Sequence, residues 1–132
     1  MKILVTGGAG FIGSHVVDAY LEAGHQVVVV DDLSTGKKEN LNPKAKFYQM
    51  DILDDKLQHL MQDEHVEVVN HHAAQIKVKA SLEDPYFDAK VNVLGSVLLL
   101  DLCRRAGVKK FIYASSGGAQ YGEMDKAPFP ET

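Results

Sequence analysis

Between a short β-branched run, Lys2 to Thr6, and an apolar stretch with helical spacing from Phe11 lies "TGGAGFIG", with four glycines inside seven positions. A strand that turns straight into a helix through so many glycines needs main chain that something can approach closely. Gly8, Gly10 and Gly13 satisfy a G-x-G-x-x-G spacing, while Gly7, Gly10 and Gly13 satisfy G-x-x-G-x-x-G. In either register one glycine supplies a backbone angle that side chains disfavour, one admits a pyrophosphate, and one lets helix and strand lie close. The helix start then meets the anion with free N–H groups and the positive end of its dipole. About twenty residues further on, "HQVVVVDD" is an apolar strand ended by Asp31, a carboxylate able to accept hydrogen bonds from both hydroxyls of an adenosine ribose. The same charge repels a 2′-phosphate, which favours NAD over NADP.

The rest of the chain repeats this alternation. "KFYQMDI", "VEVVNHH" and "KKFIYASS" read as further strands, Asp54 to about Gln62 and Pro85 to Ala106 as helices, and "LSTGKKENLNPKA" as loop. Strands apolar on both faces and separated by helices make a parallel sheet covered on two sides. The expected fold class is therefore α/β, a doubly wound parallel sheet of about five strands. At 132 residues there is room for one such domain. A net charge of -4 gives no basic field for nucleic acid or anionic lipid. No apolar run approaches the roughly 18 residues that cross a bilayer, and the single Cys103 sits in an apolar helical stretch without metal-ligand companions. A cytoplasmic location is expected, with Cys103 in the core. Adjacent His71 and His72 point to opposite sides of a strand and have no acid or thiol at ligand spacing, so no metal site is expected.

The segments "VTGGAGFIGSH", "VVDDLSTGKKENL", "MDILD", "NHHAAQ", "VNVLGS", "GVKKFIYASSGGAQYGE" and "PET", in this order, resemble the extended short-chain dehydrogenase/reductase family and its nucleotide-sugar epimerases and dehydratases. The resemblance implies an NAD-binding Rossmann domain over residues 1–132. It assigns the pyrophosphate loop to Gly7, Gly10, Phe11, Ile12 and Gly13, the ribose acid to Asp31, and the adenosine side to Asp32, Leu33, Ser34, Thr35 and Gly36. Asp51 and Ile52 flank the adenine, the alternative for Asp51 being an acid at a helix start. His72, Ala73, Ala74 and Gln75 line the nicotinamide-side ribose. Asn92 lies near the nicotinamide or, alternatively, is a buried helix amide bonded to backbone.

Catalysis in this family is described as a Ser or Thr acting with a Tyr and a Lys, the phenolate taking a sugar hydroxyl proton as hydride moves to NAD. Ser116 is the candidate serine, with Ser115 behind it; some relatives place the serine where this chain has Gly117. A Tyr-x-x-x-Lys pair is expected on a helix after the fifth strand. The chain's one match to that spelling, Tyr86 and Lys90, precedes it. Residues 1–132 are thus expected to be the first part of a longer enzyme, cut before that helix and the substrate domain and inactive alone. The implied reaction is NAD-dependent epimerisation at C4 of a UDP-hexose through a transient 4-keto sugar, by a homodimer. A 4,6-dehydratase, a UDP-glucuronate decarboxylase and a non-catalytic NAD-binding module remain as alternatives.

Overall fold

The computed structural model describes residues 1–116 and 120–122. Gly117 and the end of the chain from residue 123 lie outside the described residues. Strands β1 (Lys2–Thr6), β2 (Gln26–Asp31), β3 (Lys46–Gln49), β4 (Val68–His71) and β5 (Lys110–Tyr113) form one parallel sheet in the order β3-β2-β1-β4-β5. The expected doubly wound sheet is present. Leu4, Val28, Val30 and Val69 pack on one face against α2 (Leu57–Asp63) and α5 (Gly95–Ala106). Ile3, Val5, Val27, Val29 and Val68 pack on the other against α1 (Phe11–Glu22). Alternate side chains of each central strand thus enter different cores, which is why β1 and β2 carry unbroken apolar runs at Ile3–Val5 and Val27–Val30.

Chain order reverses between β1 and β4, because β1 passes to β2 on one side and the later strands build out on the other. Loops at the carboxyl ends of β1 and β4 therefore diverge and leave a crevice, the position where open α/β sheets bind ligands.

Local chemistry moves several boundaries from where periodicity puts them. The helix expected from Asp54 begins at Leu57, because the Asp54 carboxylate accepts the Lys56 N–H at 2.9 Å and its carbonyl accepts Leu57 N–H, closing a turn first. The single helix expected from Pro85 to Ala106 is three segments: α4 (Pro85–Ala89), a π-helical turn (Lys90–Leu94) and α5. Asp84 starts α4 by accepting Phe87 N–H at 2.9 Å, with Pro85 in the first helical position. Gly107, at φ 74°, ends α5 in the left-handed conformation that lets the last carbonyls find partners. A 3-10 turn at Lys38–Asn40 interrupts the expected loop, and a short helix, α3 (Val78–Glu83), lies in a stretch to which the sequence assigns no element. On α1 the inward face is Gly13, Ser14 and Val17, whereas Phe11 and Ile12 are 80% and 65% exposed. Small residues bring this helix against the strand and leave the two large ones beside the crevice.

Candidate active site

The glycine turn determines the shape of the crevice. Gly7 has φ 68°, and a Cβ there would lie 2.6 Å from the Ala73 nitrogen. A Cβ at Gly13 would lie 2.2 Å from the Gly7 carbonyl oxygen. Gly7 and Gly13 therefore touch one another, and Gly7 also touches the loop after β4. Of the two spacings in the sequence, the one through Gly7, Gly10 and Gly13 marks the glycines that meet at the turn. Gly8 serves a different contact, since its Cβ would strike the Val29 side chain at 2.7 Å. Gly10 caps α1, with no side chain bonding to the helix end and no acid in its first turn. The first N–H groups of α1 thus face the crevice without intrahelical acceptors.

Asp31 ends β2 beside this turn. Its side chain accepts Ala9 N–H at 3.0 Å and Leu33 N–H at 2.8 Å and is only 7% exposed. A carboxylate has about four acceptor positions, so lone pairs remain for further donors. Gly36 closes over it, a Cβ there falling 2.8 Å from Asp31 Oδ1 and 2.9 Å from Ala9 Cβ. Asp32 Oδ1 accepts from the Ser34 nitrogen and hydroxyl at 2.8 and 2.7 Å, with Leu33 at φ 62°, and Ser34 and Thr35 stay exposed on this rim. Asn40, which the sequence did not single out, fastens the rim by donating to the Ala9 carbonyl at 2.9 Å, alongside Lys37 N–H at 3.0 Å. No spacing in the sequence marks it, because the bond joins two loops 31 positions apart.

Asp51 is exposed and accepts Leu53 N–H at 2.9 Å, while the Ile52 side chain is buried in the core against Gly95. Whatever Ile52 offers a ligand must come from its main chain. Across the crevice, Asn92 sits in the π-helical turn. It accepts Gln75 N–H and donates to the Gln75 carbonyl, both at 2.9 Å, so its amide is bonded to backbone. The Gln75 Nε2, with two protons to donate, lies 3.0, 2.7 and 3.0 Å from Lys77 O, Ser81 Oγ and Asp88 Oδ1. The Ala73–Gln75 segment is thereby pinned. A small pocket of about 20 Å³, room for roughly one water, opens among His71, His72, Ala73, Asn92, Ser96 and Tyr113.

Both histidines are held neutral. Burial, and then the adjacent His72, pushes His71 down to about 4; burial also lowers His72. His72 Nε2 is buried without a hydrogen-bond partner among the described residues. No group of three or more His, Cys, Asp or Glu at metal-binding distance occurs among the described residues. Cys103 is buried and its thiol is pushed up to about 11, which leaves it unreactive. Ser116 follows β5 on the surface, with its carbonyl accepting Gln120 N–H at 2.9 Å. Tyr86 lies on α4, 76% exposed.

A parallel sheet with a bare glycine turn and a strand-end carboxylate at its switch point is a dinucleotide-binding domain. Its sequence matches the NAD dependent epimerase/dehydratase family over residues 3–132, and the chain belongs to that family. UDP-glucose 4-epimerase of Mycolicibacterium smegmatis is 49% identical over 136 residues, covering 99% of this chain and 44% of the relative. The structure of Thermus thermophilus UDP-glucose 4-epimerase in complex with NAD superposes with a TM-score of 0.91 at 45% identity, over 99% of this chain and 42% of that one. The Thermotoga maritima UDP-glucose 4-epimerase solved with UDP-glucose gives 0.87 at 52% identity, over 90% and 39%. The chain spans about two fifths of the length of these relatives.

Proposed function

We propose that this chain is the NAD-binding part of an enzyme that epimerises C4 of a UDP-hexose, interconverting UDP-galactose and UDP-glucose. The observation that carries the reading is the contact of Gly7 with Gly13 beside the buried Asp31, a cradle that any Cβ would fill. NAD bound there supplies a hydride acceptor and donor for the sugar carbon. The chain's own groups do the holding. Main-chain N–H groups at the start of α1 receive the pyrophosphate, and Asp31 accepts the ribose hydroxyls. Asp32 to Gly36 form the adenosine rim, with Asp51 and the Ile52 main chain beside the base. His72, Ala73, Ala74 and the Asn92-pinned Gln75 line the nicotinamide side. Ser116 holds a sugar hydroxyl ready to lose its proton to a Tyr supplied outside the described residues.

The enzyme works in the cytoplasm as a homodimer. Val93, Val97 and Leu100, 58%, 60% and 48% exposed at helical spacing, support pairing through that helical face. Calorimetry tests the cofactor part: the wild-type chain binds NAD and not NADP, and Asp31→Ala loses binding. Equal affinity of wild type and variant would contradict it. For the reaction, a protein of the relatives' full length should convert UDP-galactose to UDP-glucose without net consumption of free NAD. A dehydrated or decarboxylated sugar nucleotide would overturn the epimerase assignment.

A further inference from the structure

Three side chains from three elements meet beneath the crevice. Thr6 ends β1, His71 ends β4 as its register partner, and Ser96 lies in the first turn of α5. Thr6 Oγ1 is 2.6 Å from His71 Nδ1, and His71 Nε2 is 3.2 Å from Ser96 Oγ. Ser96 also donates to the Asn92 carbonyl at 2.8 Å, and Ala73 N–H donates to Thr6 Oγ1 at 3.3 Å. Thr6 and His71 are 0% and 2% exposed, so the bond between them is closed to bulk solvent.

Hydrogen counting fixes the direction of the chain. The single hydroxyl proton of Ser96 goes to the Asn92 carbonyl, so at His71 the serine oxygen accepts and the ring carries its proton on Nε2. Nδ1 is then bare and accepts the Thr6 hydroxyl proton, which turns a lone pair of Thr6 toward Ala73 N–H. One neutral tautomer satisfies every atom in the path. Phe111 and Tyr113 flank the ring, with centroids 5.9 and 5.8 Å away. Among the described residues His72 and Tyr113 are the titratable groups beside it, and neither carries a carboxylate that would stabilise an imidazolium.

The consequence lies one bond further on. The amide that Thr6 holds belongs to Ala73, the residue whose nitrogen a Cβ on Gly7 would meet at 2.6 Å. Both walls of the crevice therefore hang from one hydroxyl: Thr6 leads directly into the glycine turn and also anchors the loop after β4. We propose that His71, locked as the Nε2–H tautomer between Thr6 and Ser96, is a positioning residue that sets the spacing of the glycine turn and the Ala73–Ala74 backbone and so the fit of the cofactor. This rests on the NAD reading above.

Thr6→Val keeps the shape and removes the hydroxyl, Thr6→Ser restores it, and Ser96→Ala removes the acceptor at the half-buried end of the path. Calorimetric NAD titration should show Thr6→Val about tenfold weaker than wild type, Ser96→Ala about threefold weaker, and Thr6→Ser within about twofold. Long-range proton–nitrogen NMR of the wild type at pH 7 should show His71 protonated at Nε2 and bare at Nδ1, with the Nδ1 signal moved in Thr6→Val. If Thr6→Val does not fold, the Ser96→Ala titration and the wild-type tautomer decide. Undiminished affinity in the folded variants, or a wild-type ring protonated at Nδ1, overturns the proposal while leaving NAD binding intact. A wild type that binds no NAD overturns the cofactor reading instead.

Discussion

Each end of the sheet buries a carboxylate to the same degree, with Glu64 and Asp31 both 7% exposed, and surrounds it in opposite ways. At the amino ends of the strands Glu64 receives Lys46, Tyr48 and, at 3.1 Å, Lys2. Those hydrogen bonds, led by Lys46, hold its pKa down at about 2. Its charge is answered within the fold. At the carboxyl ends Asp31 is given two backbone N–H groups and no cation among its described partners. The same end carries the buried His72 Nε2, without a hydrogen-bond partner among the described residues, and the exposed Phe11 and Ile12. One end of the sheet closes on itself and stabilises the fold. The other leaves acceptors, bare amides and apolar surface for a ligand to complete.

The sharpest way to break this contrast is to add one methyl group at each end. Gly13→Ala puts a Cβ 2.2 Å from the Gly7 oxygen, so it should abolish NAD binding and lower stability by about 3 kcal/mol. Gly107→Ala, at φ 74° with open space around it, should cost about 1 kcal/mol of backbone strain and leave NAD affinity unchanged. Urea unfolding and NAD titration of both variants check the pair. Binding retained in Gly13→Ala would mean that the turn is not the cradle.

Glu64→Gln should lower stability by about 2 kcal/mol in the same unfolding experiment, with NAD affinity held within twofold. An affinity loss there would erase the division of labour between the two ends.

Acid separates the ends by pH. His71 titrates near 6.5 when unfolded and near 4 when folded. Between those values the unfolded chain binds a proton that the folded chain refuses, so stability falls as the pH drops from about 6.5 to about 4. Glu64 adds a second, lower limb. Its unfolded carboxyl takes up a proton near 4.5 and the folded one only near 2, so the stability it contributes is lost from about 4.5 down to about 2. Urea midpoints against pH should show both limbs in the wild type and only the upper one in Glu64→Gln. The smallest effect belongs to the surface: Arg105→Ala, which removes an exposed ion pair to Asp101, should change stability by no more than about 0.5 kcal/mol.

Much of this was legible in the residues, for identifiable reasons. Strands buried on two faces are apolar on both, so β2, with four successive buried valines from Val27 to Val30, declares itself as a member of a parallel sheet. The glycine string and Asp31 declare the crevice because turn and carboxylate each need one residue type at one spacing. What stayed hidden depends on contacts between distant segments. The π-helical turn at Lys90–Leu94 keeps an ordinary helical pattern of apolar residues; the hydrogen bonds of Asn92 to the Gln75 backbone mark it only in three dimensions. α3 has no buried residue, so no apolar face announces it. It is held through Ser81, which meets Gln75 and Asp88. Thr6 and His71 stand 65 positions apart and are joined by strand register alone. Phe11 and Ile12 mislead in the other direction, since apolar residues at helical spacing suggest core and these two face outward at the crevice.

The central claim is that the bare turn at Gly7–Gly13 and the carboxylate of Asp31 hold a dinucleotide at the switch point between β1 and β4. A crystal structure of this chain grown with NAD tests it most directly. Pyrophosphate oxygens within hydrogen-bond distance of the main-chain N–H groups opening α1, with ribose hydroxyls on Asp31, are the result expected. NAD lying elsewhere, or that turn and Asp31 left without contact to it, would contradict the account.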